Sequence, residues 1–172
     1  WQWRPQSPHA WMGRMRWLEG TPDTLRTRLD TLSDGRVALA LTPEAPVTFV
    51  LPDTLGPVQV SAAINLDDFG GTVSLLHHVQ DGQTYDFLRL DGTTLQQGRV
   101  QDGTSTVFAE AKRRAEGWQT VRAVGDGTHF RGYVGEDLVV HGHGEAATPG
   151  AVGLRLNGAG TVRLRRLAAE SL

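Results

Sequence analysis

The chain has 172 residues, with 21 Gly, 8 Pro, no Cys and a formal net charge of −2. That length holds one domain with a full core rather than two, and the small net charge gives no bulk attraction to nucleic acid or anionic lipid. The missing cysteines exclude disulfides, thiolate catalysis and Cys-based zinc sites, and no run of 18 apolar residues exists to form a membrane span.

The N-terminus is unlike the rest. Trp1, Trp3, Trp11 and Trp17 are four of the five tryptophans, and Arg4, Arg14 and Arg16 lie among them. Large rings so concentrated pack onto the body of the protein or contact a partner. Residues 1–17 are therefore read as an arm, with Trp1, Trp3 and Trp11 as the partner-binding candidates, and residues 18–172 as a single domain. The chain opens on Trp rather than Met, which suits a processed secreted or envelope protein.

Beyond the arm, alternation with period two dominates, broken by turns at short intervals. The expected strands are Thr24–Asp30, Arg36–Leu41, Val47–Leu51, Val58–Leu66, Thr72–Val79, Thr84–Asp91, Thr94–Gln101, Thr104–Ala111, Trp118–Val124, His129–Val134, Leu138–His141, Ala151–Leu156 and Gly160–Leu167. Five Asp-Gly steps (Asp34-Gly35, Asp81-Gly82, Asp91-Gly92, Asp102-Gly103 and Asp126-Gly127) supply the positive φ of tight antiparallel turns. In Thr84–Asp91, Asp86 shares a face with Leu88 and Leu90, while Tyr85, Phe87 and Arg89 share the other. No sustained helical stripe is present, and Glu110–Glu116 reads as a strand end and a solvated connection. So many short strands exceed one flat sheet, which predicts an all-β, two-sheet antiparallel sandwich.

The C-terminal third carries a resemblance. Gly117-Trp118-Gln119-Thr120-Val121-Arg122-Ala123-Val124, His129-Phe130-Arg131-Gly132-Tyr133-Val134, Pro149-Gly150-Ala151-Val152-Gly153-Leu154 and Thr161-Val162-Arg163-Leu164 resemble the end of a concanavalin A-like jelly roll of the laminin-G-like type. The match reaches back to about Val58 and is similar to the bacterial 3-keto-disaccharide hydrolase-like family. The resemblance implies a jelly-roll sandwich; these motifs mark the fold and not an activity, since the fold hosts lectins, glycosidases and adhesion modules. The family often ends with an aromatic, Asp and Asn that help hold a calcium ion. Here Leu164-Arg165-Arg166 stands in that place, and arginine cannot ligate Ca²⁺. Asp67-Asp68 is the remaining acidic pair that could. The Arg-for-Lys skew, with Lys112 alone beside sixteen Arg, fits a GC-rich bacterial genome.

Catalytic signatures are scarce. Glycosidases need two carboxyl groups across the scissile bond, and the Glu-x-Asp-x-x-Glu strand of sandwich glucanases does not occur. Asp86, Glu110, Glu136 and Asp137 are carboxylates that only folding could pair. His77-His78, consecutive in a strand, are expected on opposite faces. His141 and His143 share a face if extended and are weak metal candidates lacking an evident third ligand; His9 and His129 have no context. No phosphate loop or nucleophile elbow is present. Arg155, Arg163, Arg165 and Arg166 could take an anionic polysaccharide or an acidic partner.

The reading that follows is a non-catalytic module of the bacterial cell envelope or exterior, without cofactor, that binds carbohydrate or docks on an envelope protein. Sugar binding calls for aromatics that stack and polar groups that bond hydroxyls, so Tyr85, Asp86, Arg89, His77, Trp118 and Tyr133 are the ligand-binding candidates. The alternative is a glycoside hydrolase-like enzyme acting on keto- or ordinary disaccharides.

Overall fold

The computed structural model describes residues 1–4 and 12–172; Trp11 lies outside them. Among the described residues thirteen strands are formed: β1 (Gln2–Trp3), β2 (Arg16–Glu19), β3 (Leu25–Thr31), β4 (Val37–Pro43), β5 (Val47–Leu55), β6 (Val58–Val79), β7 (Tyr85–Leu90), β8 (Thr94–Gln101), β9 (Thr104–Lys112), β10 (Trp118–Asp126), β11 (His129–Val134), β12 (Asp137–His143) and β13 (Gly150–Ser171). A 3-10 turn at Pro22–Thr24 precedes β3.

Two 22-residue strands organise everything else. The first half of β6 pairs with β10, and its second half pairs with β7. The first half of β13 pairs with β5, and its second half with β4 and β1. β6 and β13 pair antiparallel with each other from Ala151↔Val79 to Ser171↔Val58. Both strands therefore pass from one layer to the other. One layer reads β12-β11-β10-β6-β13-β4-β3, and the other reads β9-β8-β7-β6-β13-β5-β2. The pairs Val58–Leu66 with Thr72–Val79, and Ala151–Leu156 with Gly160–Leu167, expected as four strands, are two strands continued through a bend.

The bend has a local cause. Gly158 lies opposite Gly71 and Gly160 opposite Phe69. A Cβ on Gly71 would strike Asn157 O and Gly158 Cα, and one on Gly160 would strike Asp68 O. Gly160 also sits at φ +101, in the region open to glycine. The two chains cross here too closely for side chains.

Between the layers lies one continuous core that includes Leu39, Leu41, Phe49, Ile64, Leu75, Leu88, Leu90, Leu154, Val162 and Leu164. A smaller cluster of Val50, Leu76, Tyr85, Phe87 and Val100 covers the outer side of the second layer, with Leu18 packed on it. The two faces of β7 thus divide as their alternation requires. Complete burial of each large side chain contributes about 1.5–3 kcal/mol.

The N-terminal segment is woven into both layers. β1 pairs with β13, and the Trp1 amine donates to Ala169 O at 2.8 Å. Trp3 packs on the core, while Trp1 is 39% exposed. β2, which straddles residue 18, pairs with β5, and the Trp17 ring lies 5.4 Å from Phe49.

Replacing Gly160 by Ala forces a Cβ against Asp68 O at a φ that alanine disfavours. The variant is expected to lose at least about 2 kcal/mol of stability, read as a lower urea midpoint. An unchanged midpoint would show that the crossing can relax.

Candidate functional site

β6 ends irregularly. Ala151 pairs with Val79 and Gly153 with Leu76, so His77 and His78 together oppose Val152. This is a β-bulge, and His78 adopts φ +50, an uncommon conformation for a non-glycine residue. The bulge cancels the alternation. His77 and His78, expected on opposite faces, instead turn to the same side, with Nδ1 atoms 2.9 Å apart. Gly125 of β10 makes room for them, because a Cβ there would meet both imidazole rings at 2.7–2.8 Å.

The neighbouring strands complete a polar network at one end of the sandwich interior. Asp86 of β7 pairs with His77 across the ladder, and Arg99 of β8 pairs with Asp86. Arg99 grips the carboxylate from two nitrogens, Nε to Oδ1 at 2.6 Å and Nη2 to Oδ2 at 3.2 Å. His78 Nδ1 lies 3.1 Å from Asp86 Oδ2, and His78 Nε2 lies 2.8 Å from Gly56 O. His78 thus bridges Asp86 to the backbone carbonyl of Gly56, with the Nδ1 of His77 beside it.

His77 is fully buried and stacks on Phe130 with ring centroids 6.2 Å apart. Burial pushes its pKa down to about 3; Asp86 opposes this, and the charges of His78 and Arg99 assist it. Gln97 places Nε2 3.3 Å from His77 Nε2 and leaves its own Oε1 without a partner among the described residues. Turned over, the amide oxygen would accept from a His77 Nε2–H. Burial raises the Asp86 carboxyl, but hydrogen bonds from His78 and Arg99 outweigh it and hold the group below its usual value. Asp86 is an ionised anchor.

This network floors an open pocket of about 180 Å³, lined by His78, Gln80, Thr84, Asp86, Arg99, Gln101 and Glu145, among others. Residues 145–148 form its wall. Gln80 Nε2 holds that wall through Thr148 O and Pro149 O, and Arg99 Nη2 through Glu145 O at 3.0 Å. A carboxylate offers about four lone-pair positions; Arg99 and His78 occupy three on Asp86, leaving one. Of the five N–H bonds of Arg99, the two on Nη1 remain for the pocket.

The six ligand-binding candidates do not converge. Asp86 and His77 join the network, with His77 sealed beneath it. Tyr85 borders the pocket but is 6% exposed, and its hydroxyl lies 3.5 Å from Arg155 on the outer side of the sheet. Arg89 covers the Phe87 ring at 4.3 Å on that same outer side. Trp118 and Tyr133 belong to the other layer, each under a guanidinium: Arg165 at 3.9 Å and Arg122 at 3.8 Å. Arg99, Gln101 and Glu145 were not evident beforehand. For Arg99 the cross-strand register with Asp86 was the available signal, and it required the hairpin β7–β8 to be aligned; Glu145 lies in the connection after β12 and had none.

Other candidates are spoken for. Asp67 accepts from Gly117 N and Asn65 Nδ2, and Asp68 pairs with Arg163. Both carboxylates of the acidic pair are thus engaged by neighbouring donors. Arg163 and Arg165 are tied to Asp30, Asp68 and Asp34, and Arg155 to Glu19. Glu110 accepts from Gln96 at 2.5 Å, and Asp137 faces Arg113. No helix among the described residues is long and apolar enough to cross a membrane.

No family model matches the sequence, and no curated protein matches it. Solved structures do match in shape. The carbohydrate binding module CBM66 from Bacillus subtilis is 16% identical, with TM-score 0.71 over 92% of this chain and 96% of that one. A Bacillus subtilis protein of galectin-like fold is 12% identical, with TM-score 0.72 over 99% and 94%. The Bacillus licheniformis β-glucanase is 15% identical, with TM-score 0.61 over 100% and 97%. The chain has the concanavalin A-like jelly-roll fold, one shared by carbohydrate-binding modules and glycoside hydrolases.

The buried His77 has a consequence for stability. Its folded-state pKa is depressed, so its contribution is complete above the unfolded value near 6.5 and is lost as pH falls toward about 3. Each pH unit in that window costs up to about 1.4 kcal/mol. Asp86 adds nothing between pH 7 and 5, because its own contribution is lost only below the ordinary carboxylate range. Urea midpoints measured at pH 7 and pH 5 should fall for the parent and fall less for His77→Leu. Equal falls would show that His77 is not the source.

Proposed function

We propose that the protein is a non-catalytic carbohydrate-binding module of the bacterial exterior or cell envelope, with its ligand site in the pocket over Asp86 and Arg99. The observation that carries this reading is the polar lining above the buried Asp86: Arg99, with two N–H donors on Nη1 left over by the network, beside Thr84 and Gln101. A vicinal diol needs a donor and an acceptor side by side. The Glu145 side chain supplies a further polar contact around it. At about 30 Å³ per water, the volume of about 180 Å³ equals some six waters. This suits one sugar ring, held at the end of a chain rather than along its length. The likeness to carbohydrate-binding modules in fold supports the reading.

The hydrolase alternative fits this site less well. Asp86 is held ionised with both oxygens engaged, so it has no proton to give a leaving group. Docking on an envelope protein rests on the exposed part of Trp1, since Trp3 is engaged with the core.

Glycan-array binding of the full chain, followed by calorimetry on the best glycan, tests the proposal. Glu145→Ala and Gln101→Ala alter the pocket rim without touching the buried ion pair. Each is expected to weaken binding about 5–10-fold, the loss of one hydrogen bond of about 1–1.4 kcal/mol. Glycan binding indifferent to both, or absent beside a stable protein partner lost on Trp1→Ala, would replace the sugar reading with docking.

A further inference from the structure

A second group of histidines lies on the outer face of the β11–β12 hairpin. β12 alternates cleanly there, with Val140 and Gly142 buried and His141 and His143 exposed. Across the ladder, His129 pairs with His143 and Arg131 with His141. The turn between β10 and β11 thus delivers His129, partly exposed, beside both. The inner face of β12 is fixed by close packing, since a Cβ on Gly142 would strike Phe108. The three imidazoles are consequently presented outward by a rigid hairpin.

Their geometry is close to what a small divalent ion requires. His129 Nδ1 and His141 Nε2 are 3.2 Å apart, and one nitrogen from each of the three rings lies within 4.8 Å of the others. Tetrahedral zinc with bonds of about 2.0–2.1 Å sets its ligand nitrogens about 3.3 Å apart. Exposed rings reach that by small rotations about χ1 and χ2. Ring centroid separations of 4.7, 4.7 and 5.5 Å show the imidazoles already gathered around a common centre.

We propose that His129, His141 and His143 form a surface site for a zinc-class divalent cation. Three imidazole nitrogens bind the ion, and the fourth position faces solvent, open to water or to an incoming donor. This is the ligand number of an open site rather than of a closed structural one. Arg131, across from His141, favours an anionic or hydroxyl donor in that position.

Zinc titration of the full chain by calorimetry, with Co²⁺ absorption as the report of coordination geometry, tests the site. The parent should bind one equivalent of Zn²⁺ and give the intense visible bands of tetrahedral Co²⁺. His129→Asn, His141→Asn and His143→Asn should each bind at least about 10-fold more weakly, with metal-free melting temperatures unchanged because the side chains face outward. His9→Asn should bind as the parent does. Absence of saturable binding, equal binding by the three hairpin variants, or loss that follows His9 instead would overturn the proposal.

Discussion

The pairing of β6 with β13 is the constraint on which the rest of the structure depends. Each strand belongs to both layers, and their hydrogen bonds continue through the bend. Every other strand joins a layer through a chain of pairings that starts on one of these two. The bend brings the two backbones into contact, and only glycine fits there. A sandwich whose layers share two strands has no separate sheet to shear away. Layer spacing and strand register are then set together, which fixes where each inward side chain arrives.

That positioning lets a charged network survive inside the fold. Taking a carboxylate and a guanidinium out of water costs several kcal/mol for each ion, and only close geometry and further hydrogen bonds offset it. Here the bidentate Arg99–Asp86 contact, the His78 bridge to Gly56 O and the tie from Arg99 to Glu145 O supply those bonds. A hydrophobic set of similar volume would serve stability as well or better. The interior end of the sandwich carries instead a bulge, a histidine at φ +50 and a glycine on β10 cut back to admit two rings. Departures of this kind gather where structure serves binding rather than packing.

Much of the fold could be read from the chain because its signals are local. The Asp-Gly turns and the alternation of Leu88 and Leu90 against Phe87 need only neighbours in sequence. Continuity through Gly70-Gly71 did not show, since a glycine pair reads as a break unless the facing Gly158 is known to lie across from it. The site was legible in part. Asp86 stood out as a carboxylate on an apolar face, yet its partner Arg99 is thirteen residues away and is found only through the β7–β8 register. The histidine pair was misplaced because period two holds for a regular strand, and nothing in His77-His78 itself announces a bulge. His129 had no context for the same reason: its neighbours His141 and His143 reach it only across a hairpin.

The network also bears on the charge of what the pocket can hold. Asp86 is ionised and Arg99 is a cation, so one anion faces one cation at the floor of the pocket and their charges balance. A fully charged ligand would upset that balance and leave one of these groups undercompensated in a partly desolvated place. A neutral, hydroxyl-rich ligand meets no such cost, because each hydroxyl both donates and accepts. It can take the Arg99 Nη1 hydrogens and the polar groups of Thr84 and Gln101 without displacing the bonds that hold the site together.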